Sequence, residues 1–242
     1  MWQNSRLSDI IYEYTDIFQL FSKFYHEDRL YFIYGNHDIE KRYYKFKRKM
    51  INKYISERQK RYNKLYRQIK VHEGLILKHR LTEDKIFLIH GHQVDFLNYE
   101  LWSLSKFLVR FLWRPLEAFG VNDTTRTAKN YKKKEAVARR LTQWVIKEKH
   151  MLIAGHNHRP MFPEIDEPPY FNDGSCVHPQ GITGIEITDG SICLVKWSVK
   201  TKDDGILYIG RDLLAGPRKL KEYFSSNCIK KEEKEQIKQK NP

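Results

Sequence analysis

The stretch His150-Met151-Leu152-Ile153-Ala154-Gly155-His156-Asn157-His158 decides how this chain is read. An apolar run of strand length stops at a glycine and continues as two imidazoles around an amide. The pattern predicts a buried β-strand that delivers polar side chains at its C-terminal end. The same design occurs twice more: Leu30 to Tyr34 (LYFIY) runs into Gly35-Asn36-His37-Asp38, and Lys85 to Ile89 (KIFLI) runs into His90-Gly91-His92. Open α/β sheets place ligands beyond the carboxyl ends of their strands, and glycine permits the tight turn that aims the next side chain. Imidazole and amide oxygen suit borderline-to-hard divalent ions such as Mn, Fe(II), Co or Zn, and with no cysteine near the clusters a thiolate site is excluded. One such cluster is often only a turn. Three in this order, each behind an apolar strand, predict convergence on a cation.

Working outward, Ser8 is placed to cap a helix beginning at Asp9, with Ile10, Tyr14, Ile17, Phe18, Phe21 and Phe24 at helical spacing. Residues 41–70 resume a helical pattern, with Ile51, Tyr54, Ile55, Tyr62, Leu65, Tyr66 and Ile69 on one side. Gly74 to Lys78 (GLILK) is β-like. Residues 97–119 read as a helix rich in large apolar groups, punctuated by Lys106, Arg110 and Arg114 and interrupted by Pro115. A second helix is expected over about 131–148. Strands are expected at 170–176, 181–187 and 191–199, the last two joined by the hairpin signal Asp189-Gly190. The organisation that results is one domain over 1–225, with basic helical insertions at about 41–70 and 97–149. A charged tail, 226–242, is expected to be disordered.

The 242 residues, 40% apolar and 31% charged, are enough for one domain with a core of its own. No run approaches the roughly 18 to 20 apolar residues of a spanning helix, and Met1 to Ser5 lack the features of a signal peptide. Cys176, Cys193 and Cys228 form no metal-type pair and read as free thiols of a reducing cytosol. A transmembrane protein, a zinc-finger array and a disulfide scaffold are thereby excluded. The net charge of +14 is local: residues 41–70 hold 13 Lys and Arg against Glu57, and residues 126–149 hold nine against Glu135 and Glu148. A basic surface of this kind attracts phosphate esters, acidic lipid head groups or nucleic acid. For the Lys-rich helices alone, solvated helix faces are the favoured reading.

The clusters resemble the calcineurin-like metallophosphoesterase superfamily, whose motifs run D-x-H, G-D-x-x-D, G-N-H-D/E, a later His, and G-H-x-H. The last three correspond to GNHD at 35–38, HGH at 90–92 and GHNH at 155–158. The stretch IHGHQVDF, and GHNHRP followed by NDGS, is most similar to the bacterial branch containing UDP-2,3-diacylglucosamine hydrolases. The resemblance spans about residues 1–200. It implies an α/β (α+β) fold, a four-layer α/β/β/α sandwich with two divalent ions (Mn, Fe, Zn or Co) at one edge.

Carried over by residue, the resemblance implies that Asn36, His90 and His156 bind one ion and His158 the other. His37 stands beside the transferring phosphoryl group, oriented by Asp38. Arg159, directly after GHNH, is a weaker candidate for touching a phosphate, with a surface or backbone-bonding role equally open. Asn172, Asp173 and Gly174 support the site from behind. His92 departs from the Asp often found at its place. Nothing before residue 35 supplies D-x-H or G-D-x-x-D: Ser8-Asp9-Ile10-Ile11-Tyr12 lacks the glycine and the second carboxylate. The expectation is therefore an N-terminally incomplete form with at most one well-formed metal site.

The function implied is hydrolysis of phosphoester or pyrophosphate bonds in a phosphorylated small molecule or lipid-linked substrate, such as a nucleotide-linked sugar or lipid. The protein is expected in the cytoplasm; the apolar helix is read first as packing on the domain or on a dimer partner, and second as a peripheral contact at the inner membrane face. A metal-dependent nuclease acting on nucleic acid, and a degenerate scaffold or anion-binding protein, are the alternatives.

Overall fold

The computed structural model describes residues 7–37, 54–56, 61–63, 70–80, 82–94 and 131–226. They form a mixed α/β protein of several sheets and few helices, as expected. The chain divides into two units, Met1–Gly74 with Phe96–Asp123, and Leu75–Asp95 with Thr124–Pro242.

In the first unit, α1 (Leu7–Glu13) and α2 (Thr15–His26) precede β1 (Phe32–Ile33). Helix α1 starts at Leu7, so Ser8 and Asp9 lie inside its first turn and Ser8 is not the cap. Between the helices the Thr15 hydroxyl donates to the Ile11 and Tyr12 carbonyls at 2.9 and 2.8 Å, the back-bonding that bends a helix. The buried side is Ile11 and Phe18, with Ile10, Phe21, Tyr25, Leu30 and Phe32 packed on it; Tyr14 and Ile17 of the predicted stripe are exposed. Phe21 meets Phe18 and Phe32 edge to face, at centroid distances of 6.3 and 6.5 Å. Strand β1 pairs in parallel with β4 (Val71–His72), through Phe32 with Val71 and Ile33 with His72.

The region 41–70 departs from its helical reading. Within it β2 (Tyr54–Ser56) pairs antiparallel with β3 (Arg61–Asn63), Ile55 opposite Tyr62. Tyrosine and isoleucine favour a pleated surface, and cross-strand pairs of this type reinforce it. The remainder of the 41–70 insertion, and the apolar segment 97–119, lie outside the described residues.

The second unit is built on a four-stranded sheet ordered β5-β6-β7-β8: β5 (Gly74–Lys78), β6 (Lys85–Ile89), β7 (Met151–Ala154) and β8 (Tyr170–Asn172). The strands β6, β7 and β8 run parallel. A three-stranded antiparallel sheet follows, ordered β11-β10-β9, from β9 (Ile182–Thr188), β10 (Ser191–Thr201) and β11 (Leu207–Lys219). Asp189 and Gly190 turn β9 into β10 with φ of 50° and 69°, as the hairpin signal predicts. The sequence reading ended its strands at residue 199 and missed β11, where Gly210, Gly216 and Pro217 interrupt the apolar pattern.

The alternation along β7 explains how this unit is layered. Met151 and Ile153 pack with Ile86, Phe171, Ile192, Leu220 and Tyr223, so one face of the first sheet meets the second sheet and α4 (Leu220–Ser225). Leu152 and Ala154 pack with Tyr170 against Val137, Leu141 and Val145 of α3 (Tyr131–Glu148) on the other face. Within this unit a helix, a sheet and a second sheet therefore stack in that order. Each fully buried large side chain, Phe171 among them, contributes roughly 1.5–3 kcal/mol.

Cys176 and Cys193 are free thiols. Cys228 and the tail from 227 on lie outside the described residues, and Ser226, expected to open that tail, is buried. No helix among the described residues is long and apolar enough to cross a membrane.

Candidate metal centre

Three neighbouring strand ends of the second unit stand level. The parallel registers pair Ile89 with Ala154 and Ala154 with Asn172. The ladder runs one step further, with Gly155 N donating to His90 O at 3.1 Å and Asp173 N to Ala154 O at 3.0 Å. The segments His90-Gly91-His92, Gly155-His156-Asn157-His158 and Asp173-Gly174-Ser175 therefore leave one sheet edge side by side, the place where such sheets bind ligands.

His90, His92 and His156 are brought together there. Ring centroids lie 5.2 Å apart for His90 and His156, 5.3 Å for His90 and His92, and 6.4 Å for His92 and His156. His92, in a single 3₁₀ turn (His92–Val94), is completely buried, and His156 is 7% exposed. Gly91 makes the approach feasible: at φ 99° it lies so close to the neighbouring loop that a Cβ would stand 3.3 Å from Gly155 O. His92 belongs to the HGH cluster of the sequence, though not to the implied ligands, and its ring joins the group here.

The loop after β7 is strained and braced. His156 and His158 both hold positive φ, 72° and 57°, a left-handed conformation that costs a side-chain-bearing residue about 1 kcal/mol or more. The bracing comes from the buried amides. Gly155 O accepts from Asn157 N and from Asn172 Nδ2, both at 2.9 Å, and Asn172 Nδ2 also bonds the Tyr170 hydroxyl at 3.1 Å. Asn172 Oδ1 accepts from Gly174 N at 2.9 Å, and Asn157 Oδ1 from Arg159 N at 2.9 Å. Tyr170 escaped the sequence reading, although its i, i+2 relation to Asn172 puts both side chains on one face of β8.

Two titratable side chains of these loops are shifted by their surroundings. His158 lies at the surface, with Nδ1 3.3 Å from the Ser175 hydroxyl. Burial first, then His156 and Lys134, hold its pKa below the usual histidine value and favour the neutral ring that a cation needs. Burial pushes the Asp173 carboxyl up to about 6, against an opposing backbone hydrogen bond. Arg159 is exposed.

Asn36 and His37 belong to the first unit, in the turn beyond β1, where Gly35 is buried, Asn36 half-buried and His37 exposed. The backbone N–H of Tyr34 donates to His72 O at 2.9 Å, the last tie before that turn. Asp38 lies outside the described residues. As donors, the second unit's imidazoles fit a borderline divalent ion. Among the described residues, no group of three or more His, Cys, Asp or Glu side chains is arranged to hold one. The fit is that of one wall of a centre.

Residues 7–160, well over half the chain, match the calcineurin-like phosphoesterase family. No curated protein matches. Among solved structures, the crystal structure of Vps29 from Chaetomium thermophilum is similar at 12% identity over 60% of this chain, with a TM-score of 0.26. The chain spans 59% of that protein's length. At that score the likeness adds nothing to the assignment, which rests on the family match.

Proposed function

We propose, because this chain belongs to the calcineurin-like phosphoesterase family, that it is a metal-dependent hydrolase whose substrate is a nucleotide-linked sugar or lipid with a phosphoester or pyrophosphate bond. The observation that carries the reading is the sheet edge where His90, His92 and His156 lie within 5.2 to 6.4 Å of one another, ring to ring.

In this proposal His90 and His156 would hold one divalent ion and His158 would contribute to a second; Asn36, which the resemblance assigns to the first ion, belongs to the other unit. Bound ions of this kind polarise phosphoryl oxygens and lower the pKa of an attacking water. The rest falls to the chain's own groups. Asn172 locks the β7 loop so that two left-handed histidines keep their aim. His37 carries the proton for the leaving oxygen, with Asp38 orienting its ring. Arg159 meets a phosphate oxygen, and the basic segments 41–70 and 126–149 concentrate anionic substrate by long-range attraction.

A second reading has an observation of its own. Among the described residues no group of three or more His, Cys, Asp or Glu side chains is arranged to hold a metal ion. On that reading the chain by itself binds anions or a single ion and turns over weakly.

The test is turnover by the purified chain with Mn(II), on a pyrophosphate-linked sugar nucleotide, on single-stranded DNA and on a simple phosphodiester. Slow hydrolysis of the sugar nucleotide, lost in His37→Ala and His156→Ala, supports the first reading. Preferential cleavage of the DNA makes the protein a nuclease. Metal binding with no turnover on any of the three favours the non-catalytic reading.

A further inference from the structure

The second sheet of the second unit carries a feature that hydrolysis does not use. The last pairing of β9 is Ile182 with Trp197, so from Ser198 onward β10 and β11 pair only with each other. They run on as a two-stranded ribbon to the turn at 202–206, closed by Lys202 N donating to Ile206 O at 2.9 Å. The two sides of the ribbon differ. Lys196, Ser198 and Lys200 with Asp212, Gly210 and Tyr208 share the side that continues the core face of the sheet, and Lys200 pairs with Asp212 there. Trp197 and Val199 with Ile209 and Leu207 share the opposite side, joined by Ile182 and Leu213 at its base.

This is the reverse of a solvated ribbon, whose apolar side turns inward. Val199, Ile209 and Leu207 are 63, 64 and 66% exposed, and Trp197, Ile182 and Leu213 are 41, 49 and 49% exposed. Together they leave on the order of 500 Å² of apolar surface in water, at the upper end of what a monomer shows. A two-stranded hairpin is at best marginally stable alone, so a ribbon of this length gains from having that side covered.

Charge and area narrow what covers it. The face holds one base and one acid, Arg211 and Glu186, bridged at 2.7 Å, and Trp197 Nε1 donates to the same carboxylate at 3.2 Å. Its charge therefore cancels, and it offers nothing to the phosphates of nucleic acid or of anionic lipid. The chain as a whole carries +14, so two copies repel through their basic segments and meet at lowest cost where the surface is neutral. Ribbon against ribbon, two copies hide about 1,000 Å² in total, the level at which a specific interface begins.

We propose that the outer face of the β10–β11 ribbon docks a second copy of this chain, about a two-fold axis that sets Val199, Leu207 and Ile209 against the same residues of the partner. The inference is independent of the hydrolase reading.

Sedimentation equilibrium on the full chain tests it. The wild type is expected to dimerise at concentrations up to on the order of 100 µM. The double variant Val199→Lys, Ile209→Glu is expected to be monomeric, at least tenfold weaker in association, with an unchanged far-UV circular dichroism spectrum. If that variant fails to fold, Leu207→Lys, beside the turn and away from the core, serves in its place with the same expectation. A monomeric wild type over that range overturns the proposal, and so does a dimer that survives these substitutions. Flotation of a monomeric wild type with phosphatidylcholine vesicles, lost in Leu207→Lys, assigns the face to lipid and also overturns it.

Discussion

The ends of β1 and β7 carry nearly the same message in sequence, Gly-Asn-His and Gly-His-Asn-His behind an apolar strand, yet their surroundings differ. Strand β7 is four residues long, buried throughout, and paired in parallel on both sides. Its loop is pinned by Asn172 and by the close approach of Gly91. Strand β1 has two residues, paired with β4, and opens into a turn whose histidine is exposed. A motif names the chemistry. The precision with which the side chains are held comes from the sheet behind it. The β7 edge can keep two histidines in a costly left-handed conformation because the ladder and the buried amides over-determine it.

The comparison is broken most severely at Gly174. There φ is +83°, and a Cβ would stand 2.1 Å from Thr183 Oγ1 and 2.8 Å from Pro160 Cγ. That same hydroxyl accepts from Ser175 N at 2.8 Å, so it cannot simply turn away. Gly174→Ala is expected to cost about 4 kcal/mol or more and to leave little folded second unit. Denaturant unfolding followed by circular dichroism measures this; a loss below about 1 kcal/mol would show the turn to be slack.

Asn172→Ala comes next. It leaves Gly155 O with one donor fewer and Gly174 N without its acceptor in a fully buried place, a loss of about 3 kcal/mol. Asn36→Ala, at a half-buried position beyond a two-residue strand, is expected to cost about 1 kcal/mol or less by the same measurement. Equal losses at the two positions would erase the contrast between the strand ends.

A smaller effect follows from pH. The folded-state pKa of Asp173 is raised from an ordinary 3.8 to about 6, so between those values the folded chain binds more protons than the unfolded one. Its contribution is therefore fully present at low pH and is lost as pH rises through about 6, a decline of roughly 2–3 kcal/mol. Thermal unfolding of the metal-free protein across this range should show that slope, and Asp173→Asn should flatten it and be the more stable form at pH 7. A variant with the same slope as the wild type would mean that the carboxyl is better solvated than its burial implies.

Much of the β7 edge was legible in the sequence. Gly155, His156 and His158 behind MLIA, and His90 behind KIFLI, were legible because parallel strands flanked by others, β7 fully buried and β6 partly so, write themselves as continuous apolar runs. What escaped depends on partners distant in sequence. His92 joins the cluster only because Gly91 brings two loops together, and the role of Tyr170 depends on the rotation of Asn172 toward Gly155. The hairpin of β2 and β3 was read as helix because Tyr54, Ile55 and Tyr62 fit both periods over so short a stretch. Strand β11 was hidden because an edge strand tolerates the glycines and proline that a central strand excludes.

In the proposed reading the histidines at the β6 and β7 ends take up a divalent metal ion, and the shift of thermal midpoint on adding Zn(II) or Mn(II) to the apo chain measures this directly. Binding at a hundredfold excess over the dissociation constant stabilises by about 2.7 kcal/mol, a rise of several degrees. The wild type is expected to show that rise, while His90→Ala and His156→Ala keep the apo midpoint within a few degrees and lose the response. A metal response undiminished in both variants would contradict the account.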